Sequence, residues 1–133
     1  MKRSGVLNSN LSFIIASMGH KDKLVICDSG LPIPKHSDVV DLALTKNIPR
    51  FLDTLKVVLE ELRVEEAIVT TELVKSNKKY FDEVYTLLDG ANIKNVTHKK
   101  FKELTQNGGN ITFVRTGEAT PYANIILISG VTF

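Results

Sequence analysis

Three histidines, His20, His36 and His98, are the side chains of this sequence best suited to moving a proton near neutral pH, because an unperturbed imidazole titrates at about 6.5. His20 follows Gly19 at the end of an apolar periodicity, which places it near the carboxyl end of a helix. Two readings are open there: an imidazolium that suits the helix dipole or bonds a free carbonyl, and a proton carrier. Asp28 closes the apolar run Leu24-Val25-Ile26-Cys27 and opens Asp28-Ser29-Gly30. It reads either as a cap for the turn behind it or as a carboxylate facing a ligand. A strand of that length separates its ends by well over about 10 Å. His20 therefore meets Asp28 only if the loop folds back or if the two come together across a subunit boundary. His98 and Lys102 stand four apart, so a short helix would put them on one face; a solvated face is the default explanation. His36 lies in a polar loop and attracts no hypothesis.

Other chemistries find no matching pattern. Cys27 is the single cysteine, which excludes an intrachain disulfide and a multi-cysteine metal site, and its apolar neighbours mark it as a small buried hydrophobe. No HExxH-type or Cys/His spacing points to a metal. Gly108-Gly109 lacks the lysine and helix of a phosphate loop and reads as a hairpin turn. The serines form no nucleophile elbow. By elimination, any chemistry here is proton transfer on a small polar ligand.

The elements that must position these residues follow from periodicity. Leu11, Ile14, Ile15 and Met18 define one helical face, with Asn8, Ser9 or Asn10 as cap and Gly19 as a left-handed terminator. Leu24 to Cys27 reads as a strand covered on both faces. Pro32 and Pro34 then force an extended loop. Val39 to Leu44 fits a second strand with Asp41 on its polar side. After Pro49, a strong helix turns Phe51, Leu52, Leu55, Val58, Leu59 and Leu62 inward. Ala67 to Thr70 is a buried strand, and a helix carrying Tyr80, Phe81, Val84, Leu87 and Leu88 ends at Gly90. Ile93 to Thr97 is a short strand, a short helix lies near Phe101 and Leu104, and strands follow at Ile111 to Val114 and Ile125 to Ser129. Strands alternating with helices indicate an α/β fold, a three-layer α/β/α sandwich with a largely buried central sheet in one domain over residues 1–133. Strand order is not legible.

Bulk properties agree. The chain has 133 residues, 43% of them hydrophobic and 24% charged, with 17 basic and 15 acidic side chains and a net charge of +2. Those signs are interspersed, so no nucleic-acid surface is indicated. Lys2 and Arg3 are not followed by a signal-peptide pattern, and no segment approaches the roughly 18 apolar residues of a membrane span. A cytoplasmic protein without membrane insertion is expected.

Four segments together resemble the D-ribose pyranase family, which is related to the fucose mutarotases. They are Gly5-Val6-Leu7-Asn8-Ser9, Gly19-His20, Asp28-Ser29-Gly30-Leu31-Pro32-Ile33-Pro34 and Pro121-Tyr122-Ala123-Asn124-Ile125-Ile126-Leu127. The passage Phe51 to Ala67 and the ending Gly130-Val131-Thr132-Phe133 extend the likeness across the chain. The resemblance implies interconversion of pyranose and furanose D-ribose without a cofactor or metal. It implies His20 as the catalytic histidine, and Asp28, His98, Lys102, Tyr122, Ala123 and Asn124 as substrate contacts. It further implies a homo-oligomer, commonly a decamer of two pentameric rings with active sites between subunits. The chain departs from the family pattern at Lys21, where threonine is more usual, at Arg50, which cannot accept a capping bond, and in the length of Thr105 to Asn110. Alternative functions are a fucose-type mutarotase and a noncatalytic sugar-binding accessory of a ribose uptake system; a phosphate-binding module is disfavoured.

Overall fold

In the computed structural model, which describes residues 1–107 and 109–133, the central strands form where apolar runs leave no polar face. β1 (Lys23–Cys27), β3 (Val64–Thr70) and β6 (Ile125–Ser129) carry those runs. Among the described residues one six-stranded sheet results, completed by β2 (Asp38–Asp41), β4 (Asn92–Val96) and β5 (Ile111–Arg115), in the order β2-β5-β1-β6-β3-β4. All neighbours are parallel except β6, which runs antiparallel to β1 and β3 on either side of it. The edge strands are short and more exposed, with Asp38, Val39 and Asp41 of β2 open to solvent.

Alternation along the strands divides the core in two. Leu24, Ile26, Ala67, Val69, Val114, Ile125 and Leu127 face one side. They pack against Leu11 and Ile15 of α1 (Ser9–Ser17), Phe51, Leu55 and Val58 of α2 (Phe51–Leu59), Leu73 of α3 (Thr71–Ser76), and Tyr80 and Val84 of α4 (Lys78–Leu87). Val25, Cys27, Phe113, Ile126 and Ile128 face the other side, where Leu31 and Phe101 of α5 (His98–Gln106) cover them. The three layers are thus unequal.

Local chemistry explains most boundaries and corrects some expectations. Asn8 caps α1 by accepting the Leu11 N–H at 2.9 Å. Gly19 does not terminate α1 in the left-handed region: Met18 leaves the helix extended, and Lys21 takes the positive φ of 71°. The reason lies downstream, where the Lys21 N–H must reach the Ser129 carbonyl at 2.9 Å to enter the sheet. Leu62 is buried but lies beyond α2, which stops at Leu59. Gly90 does follow α4 with φ 79°. The expected hairpin at Gly108-Gly109 is overturned, because the segment links α5 to β5, and β5 pairs parallel with both of its neighbours; Gly108 itself lies outside the described residues. α3 is an addition, and β2 ends at Asp41, short of the expected Leu44.

Candidate active site

Asp28 emerges from the carboxyl end of β1 beside the amino end of antiparallel β6, so Asn124, which immediately precedes β6, lies next to it. The pair is bonded twice: the Asp28 N–H donates to Asn124 Oδ1 at 2.9 Å, and Asn124 Nδ2 donates to Asp28 Oδ2 at 3.1 Å. The other Asp28 oxygen accepts the Gly30 N–H at 2.9 Å. The turn-capping reading of Asp28 is thus seen directly, with one oxygen on the turn and the other joined to a buried amide. Asn124 is fully buried, and a buried amide with both ends bonded holds its orientation.

Tyr122 stands in the left-handed region at φ 65°, a conformation that costs a non-glycine residue about 1–3 kcal/mol and persists only where the surroundings enforce it. The Asn124 N–H donates to its carbonyl at 2.8 Å, so the tight turn that strains Tyr122 also aims Asn124. Ala123 packs its methyl into the core and has only backbone to offer a ligand. The Tyr122 ring meets His98 edge-on, with centroids 5.0 Å apart at 77°. His98 begins α5, which Thr97 caps by accepting the Lys100 N–H. The His98 N–H donates to Glu72 of α3 at 2.9 Å, and this bond holds the Glu72 carboxyl below its usual range. His98 Nδ1 is buried and has no hydrogen-bond partner among the described residues. Such an atom is a natural contact for a ligand hydroxyl. Lys102 lies one turn along α5, half-buried.

His20 is not brought to this cluster by its own chain. It precedes β1, whereas Asp28 follows it, and the five residues between put the two about 16 Å apart along the strand. His20 sits half exposed at the opposite end of the strands, with Nε2 3.0 Å from Glu65 Oε2. Lys21 bonds the other Glu65 oxygen. Cys27 is buried, and burial pushes its thiol up to about 12, which removes it as a nucleophile.

Three carboxylates that the sequence did not single out support these residues: Glu65, Glu72 and Glu118. Glu118 is fully buried, accepting from Tyr80 Oη at 2.6 Å, Arg50 Nη2 at 3.2 Å and the Phe51 N–H at 3.4 Å. Burial works against its charge, but the bonds from Tyr80 and Arg50 outweigh it and hold the carboxyl below its ordinary value. The Glu118 carbonyl also accepts the Ser29 N–H at 3.0 Å, tying this hub to the Asp28 turn. No local pattern marks any of the three, because each acts on a segment distant in sequence.

A mixed α/β sheet with the Asn124 amide, the Tyr122 ring and the His98 imidazole gathered at one rim places the chain among α/β proteins with a polar cluster at the strand ends. The chain belongs to the RbsD / FucU transport protein family, whose model matches residues 1–132. It is 53% identical over 133 residues to the D-ribose pyranase of Coprothermobacter proteolyticus and 47% identical to that of Bacillus cytotoxicus, with both chains covered completely in each case. The structure of Bacillus subtilis RbsD complexed with D-ribose matches with a TM-score of 0.92 at 43% identity over all of both chains. The fucose mutarotase of Streptococcus pneumoniae in complex with L-fucose shares the fold, with a TM-score of 0.74 at 20% identity over all of both chains.

Proposed function

We propose that this chain is an isomerase that interconverts the pyranose and furanose rings of D-ribose. The observation that carries the reading is full-length similarity, at 43% identity, to a protein whose structure holds D-ribose. The neutral hydrogen-bonding groups of Asn124 and Tyr122 support it, since polyhydroxylated ligands exchange hydrogen bonds with such groups more readily than with ion pairs. In the reaction, His20 takes the proton from the anomeric hydroxyl and C1 becomes a carbonyl. The C1–O5 bond breaks with its electron pair remaining on O5, which receives the proton. Closure through O4 reverses the transfers, so no atom or electron is gained or lost. General acid–base help of this kind contributes about 10²–10⁴-fold. Asp28, His98, Lys102, Tyr122, Ala123 and Asn124 hold the sugar.

His20 and the Asp28 cluster lie at opposite ends of the central strand β1 in one chain, which supports a site shared by neighbouring subunits of a homo-oligomer, a decamer of two pentameric rings. The surface agrees with assembly, because Phe13, Leu44 and Ile48 are exposed. Among the described residues no helix is long and apolar enough to cross a membrane, and a sugar-converting enzyme that feeds ribose to catabolism belongs in the cytoplasm.

NMR magnetisation transfer between D-ribose forms, with catalytic amounts of protein and a matched L-fucose sample, tests the reaction. Faster pyranose–furanose transfer, lost in His20→Ala with folding intact, is expected. Acceleration with L-fucose alone would move the chain to the mutarotase activity, and saturable binding without acceleration of either sugar would make it a binding accessory.

A further inference from the structure

Glu65 occupies an unusual place in the sheet. The β3–β6 register shifts between Val64 and Glu66, so Glu65 lies at an irregularity that pairs with nothing directly opposite. A residue at such a bulge is re-aimed away from the regular pleat. Gly130, across from it, makes the space: a Cβ there would stand 3.1 Å from Glu65 Cβ and 3.5 Å from Oε2. The Gly130 N–H donates to the Arg63 carbonyl at 2.8 Å, and Ser129 exchanges backbone bonds with Lys21 and Asp22. The bulge and the His20 turn are thus fastened to the same end of β6. Glu65 bridges them, with Oε1 on Lys21 and Oε2 3.0 Å from His20 Nε2. Lys21 and His20 together hold the Glu65 carboxyl below its ordinary range, so it faces the imidazole as an anion.

A carboxylate accepts hydrogen bonds and cannot donate them when ionised, so the ring nitrogen facing it carries the hydrogen. In a neutral imidazole the lone pair then belongs to the other nitrogen. We propose that Glu65 is a positioning residue that holds His20 as the Nε2–H tautomer and so makes Nδ1 the atom that exchanges protons with the sugar. This rests on His20 being the proton carrier. In ring opening, Nδ1 takes the anomeric proton, the imidazolium rests against the Glu65 carboxylate, and the same proton passes to the ring oxygen as C1–O5 breaks. Lys21, by occupying Oε1, leaves Oε2 alone for the imidazole.

Long-range 15N–1H correlation of the histidine rings at about pH 8, where imidazole is neutral, reads the tautomer directly. The unaltered protein should show His20 protonated at Nε2. Glu65→Gln, whose amide can donate as well as accept, should show a mixture of both tautomers. Its kcat should fall about 10-fold, as loss of an orienting partner typically does, with KM changed by less than about twofold. Glu66→Gln, which removes the neighbouring carboxylate paired with Lys94 at 2.9 Å, should move neither readout. An Nδ1–H signature in the unaltered protein overturns the assignment without any variant. A wild-type tautomer and kcat in Glu65→Gln, beside an inactive His20→Ala, would overturn the role of Glu65 alone. Full turnover in His20→Ala would overturn the proton-carrier reading and, with it, the part of Glu65 in the reaction.

Discussion

In the Asp28–Asn124 pair, one residue holds the local fold and is also assigned by the proposed function to sugar binding. Asn124 Oδ1 is the acceptor for the Asp28 N–H, and its Nδ2 fixes the carboxylate. Asn124→Ala leaves that N–H without its partner in a buried setting, a loss of about 1–3 kcal/mol. The Asp28 carboxylate is also freed to turn. Sugar affinity should therefore weaken by about 10-fold, the equivalent of some 1.4 kcal/mol. The rate at saturation should change little, because the proton carrier is untouched. Exchange rates measured across a D-ribose titration separate the two effects, and a drop confined to the saturated rate would contradict the assignment of Asn124 to binding. Asp28 and His20 are visible in the sequence because each interrupts a periodic run. Glu65 is not, because the bond that matters depends on a bulge opposite β6 that no short window reveals.

At the scale of elements, Glu118 does work that Arg50 cannot. Arg50 stands at the N-cap of α2 and provides no side-chain cap. The Glu118 carboxylate serves instead, accepting the Phe51 N–H at 3.4 Å while its other oxygen meets the arginine. An anion at a helix amino terminus also suits the helix dipole. One residue from the segment between β5 and β6 thereby joins α2 and α4 through its side chain and the turn that carries Asp28 through its carbonyl. Its depressed pKa means that the stabilisation is present above the unfolded carboxyl value, about 4.3, and is lost as pH falls through the lower folded value. Glu118→Gln should lower stability by about 1–3 kcal/mol at neutral pH. It should also flatten the loss of stability on acidification, as urea unfolding at several pH values below neutrality would show. A variant as acid-sensitive as the parent would remove Glu118 from that role. The strands were legible where burial is two-sided, as in β1 and β6, and α2 and α4 where apolar spacing is sustained. α3 was not, because six residues with Leu73 as the buried one hold too little periodicity. The sheet order was hidden for a different reason: antiparallel β6 sits between parallel strands, and its apolar run is compatible with either direction.

At the scale of the whole molecule, the residues of the proposed active site are split between the two ends of the sheet. His20, just before β1, and Glu65, near the start of β3, lie at one end of the sheet, and Asp28, Asn124, Tyr122 and His98 lie at the other. A fixed five-residue strand holds them apart, and a strand in the middle of a packed sheet does not shorten. A neighbouring subunit can present the missing half, and a ring, in which the same head-to-tail contact repeats until it closes, does so for every subunit equally. Chains carrying His20→Ala and chains carrying Asn124→Ala would then each form defective sites alone. When the two are unfolded together and refolded as mixed oligomers, half of the chains supply a sound His20 and half a sound Asn124. About a quarter of the shared sites would receive both by chance. At D-ribose concentrations well below saturation, where the weaker binding of Asn124→Ala limits its rate, the mixture should recover about that fraction of parent activity, above the level of either variant refolded separately. A site completed within one chain recovers nothing beyond the average of the two, because no single chain carries both intact residues. Comparing the mixed sample with the separately refolded variants at equal total concentration therefore decides whether the proposed ring-shaped assembly is required for catalysis.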